Sequence, residues 1–249
     1  MSEEGPELPE GYSLARFGEI DSTNLEAVRR AERGESGPLW IWAEQQLAGR
    51  GRMGRSWVSE TGNLYATLLL PLNAGERASD LSFVTVLSVC DAAVASLPDE
   101  AAGKLMLKWP NDLLLDGEKA AGILLEQAGS GAIAIGCGLN LGNVPASGLR
   151  RPATGLALHG ASVTASSALA HLAKAMDHWL RIWRRSGFGT VRQAWLARAA
   201  GQGQVITVSQ GEGTLQGTFK TLDDMGALIL ELPDGCEQRI LAADIEFGS

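Results

Sequence analysis

Hydrophobic positions change their spacing several times along this chain, and each change marks an element. Residues 13–19, 39–44 and 64–70 alternate or run apolar over strand length. Between the first two, Ser22-Thr23-Asn24-Leu25-Glu26 opens a helix that should run to about Arg33 and stop at Gly34. Thr23 followed by Glu26 is a capping-box spacing. Residues 80–96 are strongly apolar at helical spacing and end before Pro98, which predicts a buried helix. Residues 105–109 and 112–115 are extended pieces meeting at Pro110-Asn111, and Asp116-Gly117-Glu118 is a tight turn. Residues 122–127 and 132–138 form a hairpin joined by a loop at 129–131. The clearest helix is 164–185, where Leu169, Leu172, Met176, Trp179, Leu180 and Trp183 share one face. Another covers 191–200.

From Gly203 the pattern shifts to short strands at 204–209, 213–220, 227–232 and 238–242, separated by glycine turns such as Asp224-Met225-Gly226 and Pro233-Asp234-Gly235. This predicts a small all-β module, most simply a barrel. The expected organisation is a loose tail over 1–11, a main domain over 12–201 and the β module over 202–249.

Composition narrows the possibilities. The 249 residues are 45% hydrophobic, ample for a core, and carry a net charge of -8, which suits neither general nucleic-acid binding nor anionic membranes. Cys90, Cys137 and Cys236 are odd in number and far apart, which predicts free thiols in a reducing cytoplasm. Neither a secretory signal nor an apolar run long enough to span a bilayer is evident. His171 and His178 lie on one helix without metal-ligand spacing, so zinc is not expected. There is no Walker loop, no Gly-x-Ser-x-Gly elbow and no dinucleotide fingerprint.

On this acidic background one stretch stands out. Gln46-Leu47-Ala48-Gly49-Arg50-Gly51-Arg52-Met53-Gly54-Arg55-Ser56-Trp57 alternates glycine with arginine between two predicted strands. Glycine lets the backbone approach a ligand, and arginine offers fixed charge and forked donors for carboxylates and phosphates. The loop is suited to closing over a small anion. Two further clusters follow: Lys108-Trp109-Pro110-Asn111-Asp112-Leu113 with Lys119-Ala120-Ala121-Gly122-Ile123-Leu124-Leu125-Glu126, then Gly136-Cys137-Gly138-Leu139-Asn140. Taken singly, these are a basic loop, a turn, a solvated lysine and a close-packed strand.

Together, and in this order with Ser22-Thr23-Asn24, they resemble the biotin–protein ligases, those that modify acetyl-CoA carboxylase, over residues 12–249. The resemblance implies an α+β fold: a mixed β-sheet flanked by helices, related to class II aminoacyl-tRNA synthetases, followed by an SH3-like β-barrel. It implies ATP and Mg²⁺, with biotin as substrate. The biotin carboxylate attacks the α-phosphorus of ATP, and a lysine of the biotin carboxyl carrier domain of acetyl-CoA carboxylase then takes the biotinyl group from the adenylate. Ser22, Thr23 and Gln46 then grip the ureido head, with Asn24 lining the same pocket. Gly122, Gly136 and Gly138 make room for the ring and the valeryl chain. Arg50, Gly51 and Arg52 wrap the carboxylate and phosphate, and Lys119 meets their junction. Arg55 and Lys108 add charge for ATP, while Trp57, Asn111 and Asn140 hold the adenine, Trp57 by stacking. Asp112 orients the incoming lysine. The metal is expected to travel with ATP rather than sit in a protein-only cage.

Some relatives add an N-terminal helix-turn-helix. Only about a dozen residues precede the first matched segment here, so neither repression nor DNA binding is expected. A homodimer fits the family. Leu47 and Met53 depart from the expected motif without disturbing the matched side chains. Two competing readings are a lipoate- or octanoate-transferring relative and a non-catalytic nucleic-acid module built on the arginine loop. The polar set Ser22, Thr23 and Gln46 favours biotin over the first, and the acidic balance disfavours the second.

Overall fold

The computed structural model describes residues 5–247 except 130, 143, 145–151, 211–212 and 242. The first four residues of the expected tail, Ser130 of the expected hairpin loop and Ala242 at the end of the fourth module strand lie outside the described residues. So do the last two residues of the chain.

Seven strands form one mixed sheet: β1 (Ser13–Ile20), β2 (Leu39–Gln46), β3 (Leu64–Pro71), β4 (Leu105–Lys108), β5 (Asp112–Leu115), β6 (Glu118–Ala128) and β7 (Ala132–Leu139). Their order is β1-β2-β3-β7-β6-β5-β4. β1 and β2 are parallel, joined through helix α1 (Thr23–Glu32); the other pairs are antiparallel. The predicted hairpin of β6 and β7 and the turn between β4 and β5 both form.

Strand alternation sends large and small residues to opposite faces. Ile133, Ile135, Cys137 and Leu139 of β7 join Leu64, Ala66, Leu68 and Leu70 of β3 in the larger core. Helices α2 (Asp80–Val94), α4 (Ala165–Ser186) and α5 (Phe188–Leu196) cover that face, with the short α3 (Asp99–Ala102) between α2 and β4. The other face carries Ala132, Ala134, Gly136 and Gly138 of β7 and Thr67 of β3, and α1 lies across it. A sheet with small residues on one face leaves room there for something other than its own side chains.

The start of α1 differs from expectation. Ser22, not Thr23, is the N-cap, and it makes no side-chain cap bond. The Thr23 hydroxyl is turned to Gln46, while Glu26 is drawn off by Arg29, Arg30 and Arg33. Salt bridges on the helix surface thus replace the capping box. In α4 the cap is Thr164, which accepts from the Ser167 amide at 3.2 Å.

The C-terminal strands β8 (Val205–Gln210), β9 (Gly213–Leu222), β10 (Leu228–Glu231), β11 (Glu237–Ile240) and β12 (Asp244–Phe247) form an antiparallel sheet of order β11-β10-β9-β8-β12. The last strand was not expected. Among the described residues β11 and β12 lie at opposite ends of this order, so the predicted barrel is an open five-stranded sheet here. Its inner residues Ile206, Phe219, Leu228 and Ile245 continue the larger core. Trp109 Nε1 donates to the Gly226 carbonyl at 3.0 Å, tying the sheet to the turn before β5.

Candidate functional site

The face with small side chains opens into a cavity of about 450 Å³. Its walls come from the N-terminus of α1, the glycine–arginine loop, the segment between β4 and β5, strands β6 and β7, and β12. Every residue expected at the site lines it: Ser22, Thr23, Asn24, Gln46, Arg50, Gly51, Arg52, Arg55, Trp57, Lys108, Asn111, Asp112, Lys119, Gly122, Gly136, Gly138 and Asn140.

One end is neutral and closely hydrogen-bonded. Gln46 Oε1 accepts from the Thr23 amide at 2.9 Å and the Thr23 hydroxyl at 3.0 Å, and Gln46 Nε2 donates to Ser59 Oγ at 3.0 Å. The Thr67 hydroxyl lies 2.8 Å from Thr23 Oγ1 and 2.7 Å from Asn24 Oδ1, and its single proton serves one of them at a time. Asn24 Nδ2 donates to Glu126 at 2.9 Å. Ser22, Thr23, Asn24 and Thr67 are all buried. Buried polar groups are costly unless satisfied, so this network fixes each rotamer.

The other end is cationic. Arg50 pairs with Glu126 at 2.9 Å, Lys119 with Asp112 at 2.7 Å and Arg55 with Asp244 at 3.4 Å. Arg52 and Lys108 are held differently. Arg52 Nη1 donates to Asn111 Oδ1 at 2.9 Å. Burial lowers its pKa, against the pull of Asp112 and Asp244, yet a guanidinium keeps its charge. Lys108 is buried, with its ammonium 5.6 Å from the Phe247 ring centroid. Among the described residues neither cation meets a carboxylate at ion-pair distance. A buried charge such as Lys108 with no counter-ion in contact among the described residues is expensive, so this end is arranged to receive an anion.

Three glycines do something more specific than leave open space. A Cβ on Gly136 would sit 2.2 Å from Asn24 Oδ1, and one on Gly138 would sit 2.6 Å from the Trp57 ring. One on Gly122, the cross-strand partner of Gly138, would lie 3.0 Å from the same ring. The space expected for the biotin ring and chain is therefore shared with Asn24 and with the Trp57 indole, which lies across the glycine pair. Lys119 Nζ is 5.4 Å from that ring's centroid. Asn111 and Asn140 spend their side-chain amides on backbone carbonyls: Asn111 on Ile123, Asn140 on Thr154 and Lys119. Both shape the wall beside Trp57.

Cys137 points into the larger core, where burial pushes its thiol up to about 12 and leaves it protonated. Sequence reasoning missed Thr67, Glu126 and Asp244. Glu126 closed a matched segment without receiving a role. Thr67 carries the polar side chain within the apolar run of β3, a signal in plain view. Asp244 lies on the unexpected β12, and nothing local marks it.

The sequence matches the model of the biotin/lipoate A/B protein ligase family over residues 16–140 and that of the biotin protein ligase C-terminal domain over 202–248. It is 43% identical over 238 residues to a biotin–[acetyl-CoA-carboxylase] ligase of Paracoccus denitrificans, covering 92% of this chain and 98% of that one. The chain belongs to the biotin–protein ligase family. A bifunctional ligase/repressor of Escherichia coli is 31% identical over 96% of this chain and 75% of its own length. Among solved structures, a biotin protein ligase from Aquifex aeolicus in complex with biotin and ATP superposes with a TM-score of 0.82 at 26% identity, covering 95% of this chain and 99% of that one. The family thus accounts for both parts of the fold, the mixed sheet and the C-terminal β module. Among the described residues no helix is long and apolar enough to cross a membrane.

Proposed function

We propose that this protein is an ATP-dependent biotin–protein ligase. It joins biotin to AMP with release of pyrophosphate, then passes the biotinyl group to a lysine of a biotin carboxyl carrier domain, that of acetyl-CoA carboxylase. The observation that carries this reading is one cavity with a neutral hydrogen-bonding end next to an end lined by five cations, Arg50, Arg52, Arg55, Lys108 and Lys119.

A cyclic urea offers one carbonyl acceptor and two N–H donors. Ser22, Thr23, Asn24 and Gln46 provide hydroxyls and amides of both kinds at the neutral end. A saturated fatty acyl chain offers these groups no partner, whereas a cyclic urea pairs with the donors and acceptors that the internal network leaves over. This favours biotin over lipoate or octanoate. At the other end, Arg50 and Lys119 are set where the carboxylate would meet the α-phosphate, and they offset the repulsion between these anions. Arg52, Arg55 and Lys108 take up phosphate charge, and Trp57, Asn111 and Asn140 bound the adenine. Mg²⁺ would arrive on the triphosphate and add neutralising charge there. In the second step the amine of the carrier lysine attacks the acyl carbon, AMP leaves with the bonding pair, and the nitrogen gives up a proton. Asp112, already 2.7 Å from one ammonium group at Lys119, is placed to orient another.

The two buried cysteines and exposed Cys236 are all free, in keeping with a cytoplasmic location. Isotope exchange between pyrophosphate and ATP tests the reading. We expect exchange that depends on biotin and is absent with lipoate or octanoate. Exchange with lipoate alone, or salt-sensitive oligonucleotide binding without any exchange, would overturn it.

A further inference from the structure

Glu126 lies on β6 outside the cavity lining, touching one lining residue from each end, and each of its oxygens has a different task. Oε1 is 2.9 Å from Arg50 Nη2, and Oε2 accepts from Asn24 Nδ2 at 2.9 Å. Asn24 in turn rests on Thr67, and Thr67 on Thr23, which holds Gln46. One carboxylate therefore joins the neutral network to a cation of the glycine–arginine loop.

Its chemistry suits this position and no other side chain of its size does. Both partners are donors, so a carboxamide would turn an N–H group toward one of them. The Arg50 side chain is 45% exposed, and Glu126 is 21% exposed. An arginine half in solvent on a glycine-jointed loop has many rotamers open to it, and a fixed partner removes most of them. The ion pair is made at a terminal nitrogen, Nη2. A guanidinium has five N–H donors, so the others stay available to an incoming anion.

We propose that Glu126 is a positioning residue. It holds Arg50 by a terminal nitrogen with its remaining donors turned to the acid end of the substrate, and Asn24 fixes its second oxygen so that the arrangement is set by the same network that receives the head group. This rests on the ligase reading above. It differs from a purely structural role in one respect: its effect should depend on the charge of the substrate's acyl end.

The test is equilibrium binding by titration calorimetry, with biotin and with uncharged biotin methyl ester, to the wild-type chain, Glu126→Gln, Arg50→Ala and the double variant. We expect Glu126→Gln to weaken biotin about tenfold, the loss of roughly one charge-assisted hydrogen bond. The ester should bind all forms alike, and Glu126→Gln should add nothing once Arg50 is gone. Glu126→Asp keeps both acceptor oxygens on a shorter arm and should show a smaller loss confined to biotin, which guards against a carboxamide variant that does not fold. Equal losses for biotin and ester, losses that add in the double variant, or unchanged biotin binding would each overturn the proposal. A wild-type chain that binds neither ligand would instead sink the ligase reading itself.

Discussion

The two ends of the cavity solve opposite problems. At the head-group end the side chains are neutral and already bonded to each other through Gln46, Thr23, Thr67 and Asn24, the last three of them buried. At the acid end they are charged, several are half exposed, and Arg52 and Lys108 sit apart from any carboxylate partner among the described residues. A neutral polar pocket must be satisfied internally to be stable, and its hydrogen bonds then dictate shape. A cationic site tolerates partial solvation and gains most when an anion arrives. The first end rests on a sheet and a helix. The second rests largely on a loop, where Met53 holds a positive φ of 56° and is 81% exposed. In the function proposed above, specificity falls to the end built on sheet and helix and chemistry to the end built largely on the loop.

Substitutions should separate these two roles. The largest effect is expected at the charged end: Lys119→Ala and Arg50→Ala should each slow pyrophosphate release on the order of 10²- to 10³-fold, the usual loss for one preorganised electrostatic group. Unchanged rates in both would remove them from the chemistry. At the head-group end Gly136→Ala should push Asn24 aside and weaken biotin about 10- to 100-fold by calorimetry, and an affinity equal to wild type would show that Asn24 does not shape the pocket.

A fourth substitution probes the seal between the ends. Arg52→Gly cuts the loop's hydrogen bond to Asn111, so activated biotin should escape and label lysines of a bystander protein. Labelling no greater than wild type would refute a sealing role. Smaller again, Asp244→Asn loosens Arg55 and should raise the KM for ATP only a few-fold, since a partly exposed ion pair contributes about 1 kcal/mol or less. A KM that does not move would detach β12 from nucleotide binding.

The least effect should come from acid. Hydrogen bonds from Arg29 hold the Asp21 carboxyl down at about 2. Burial pushes Glu26 up, but Arg29 and Arg30 outweigh it and leave it below its ordinary value. A depressed carboxylate stabilises the fold above its unfolded pKa, near 4, and that contribution is lost as pH falls toward the folded value. Thermal melts should therefore show α1 support intact at neutral pH and fading from about pH 4 to 2. Asp21→Asn should flatten that limb, and an unchanged limb would show that the pair carries no stability.

Much of this was legible in advance because it is local. Glycine and proline punctuate the strands, and the β7 stretch Ala132-Ile133-Ala134-Ile135-Gly136-Cys137-Gly138-Leu139 writes its two faces directly as small and large side chains. The α4 stripe of Leu169, Leu172, Met176, Trp179, Leu180 and Trp183 is buried as its spacing predicts. Residue types alone also marked the cations, because five of them gathered in short motifs on an acidic chain have few other uses.

What the chain alone could not reveal is which partner each side chain takes. The Thr23–Glu26 spacing offers a capping box, yet Gln46 lies 23 residues on and takes Thr23, while three arginines take Glu26. Asp244 reaches Arg55 across 189 residues, and Glu126 stands between Asn24 and Arg50 only because β6 runs beneath both α1 and the loop. Short-range pattern sets elements, since backbone conformation answers to near neighbours. Pairing among polar groups answers to distance in space, and that is decided when the sheet brings remote segments onto one face.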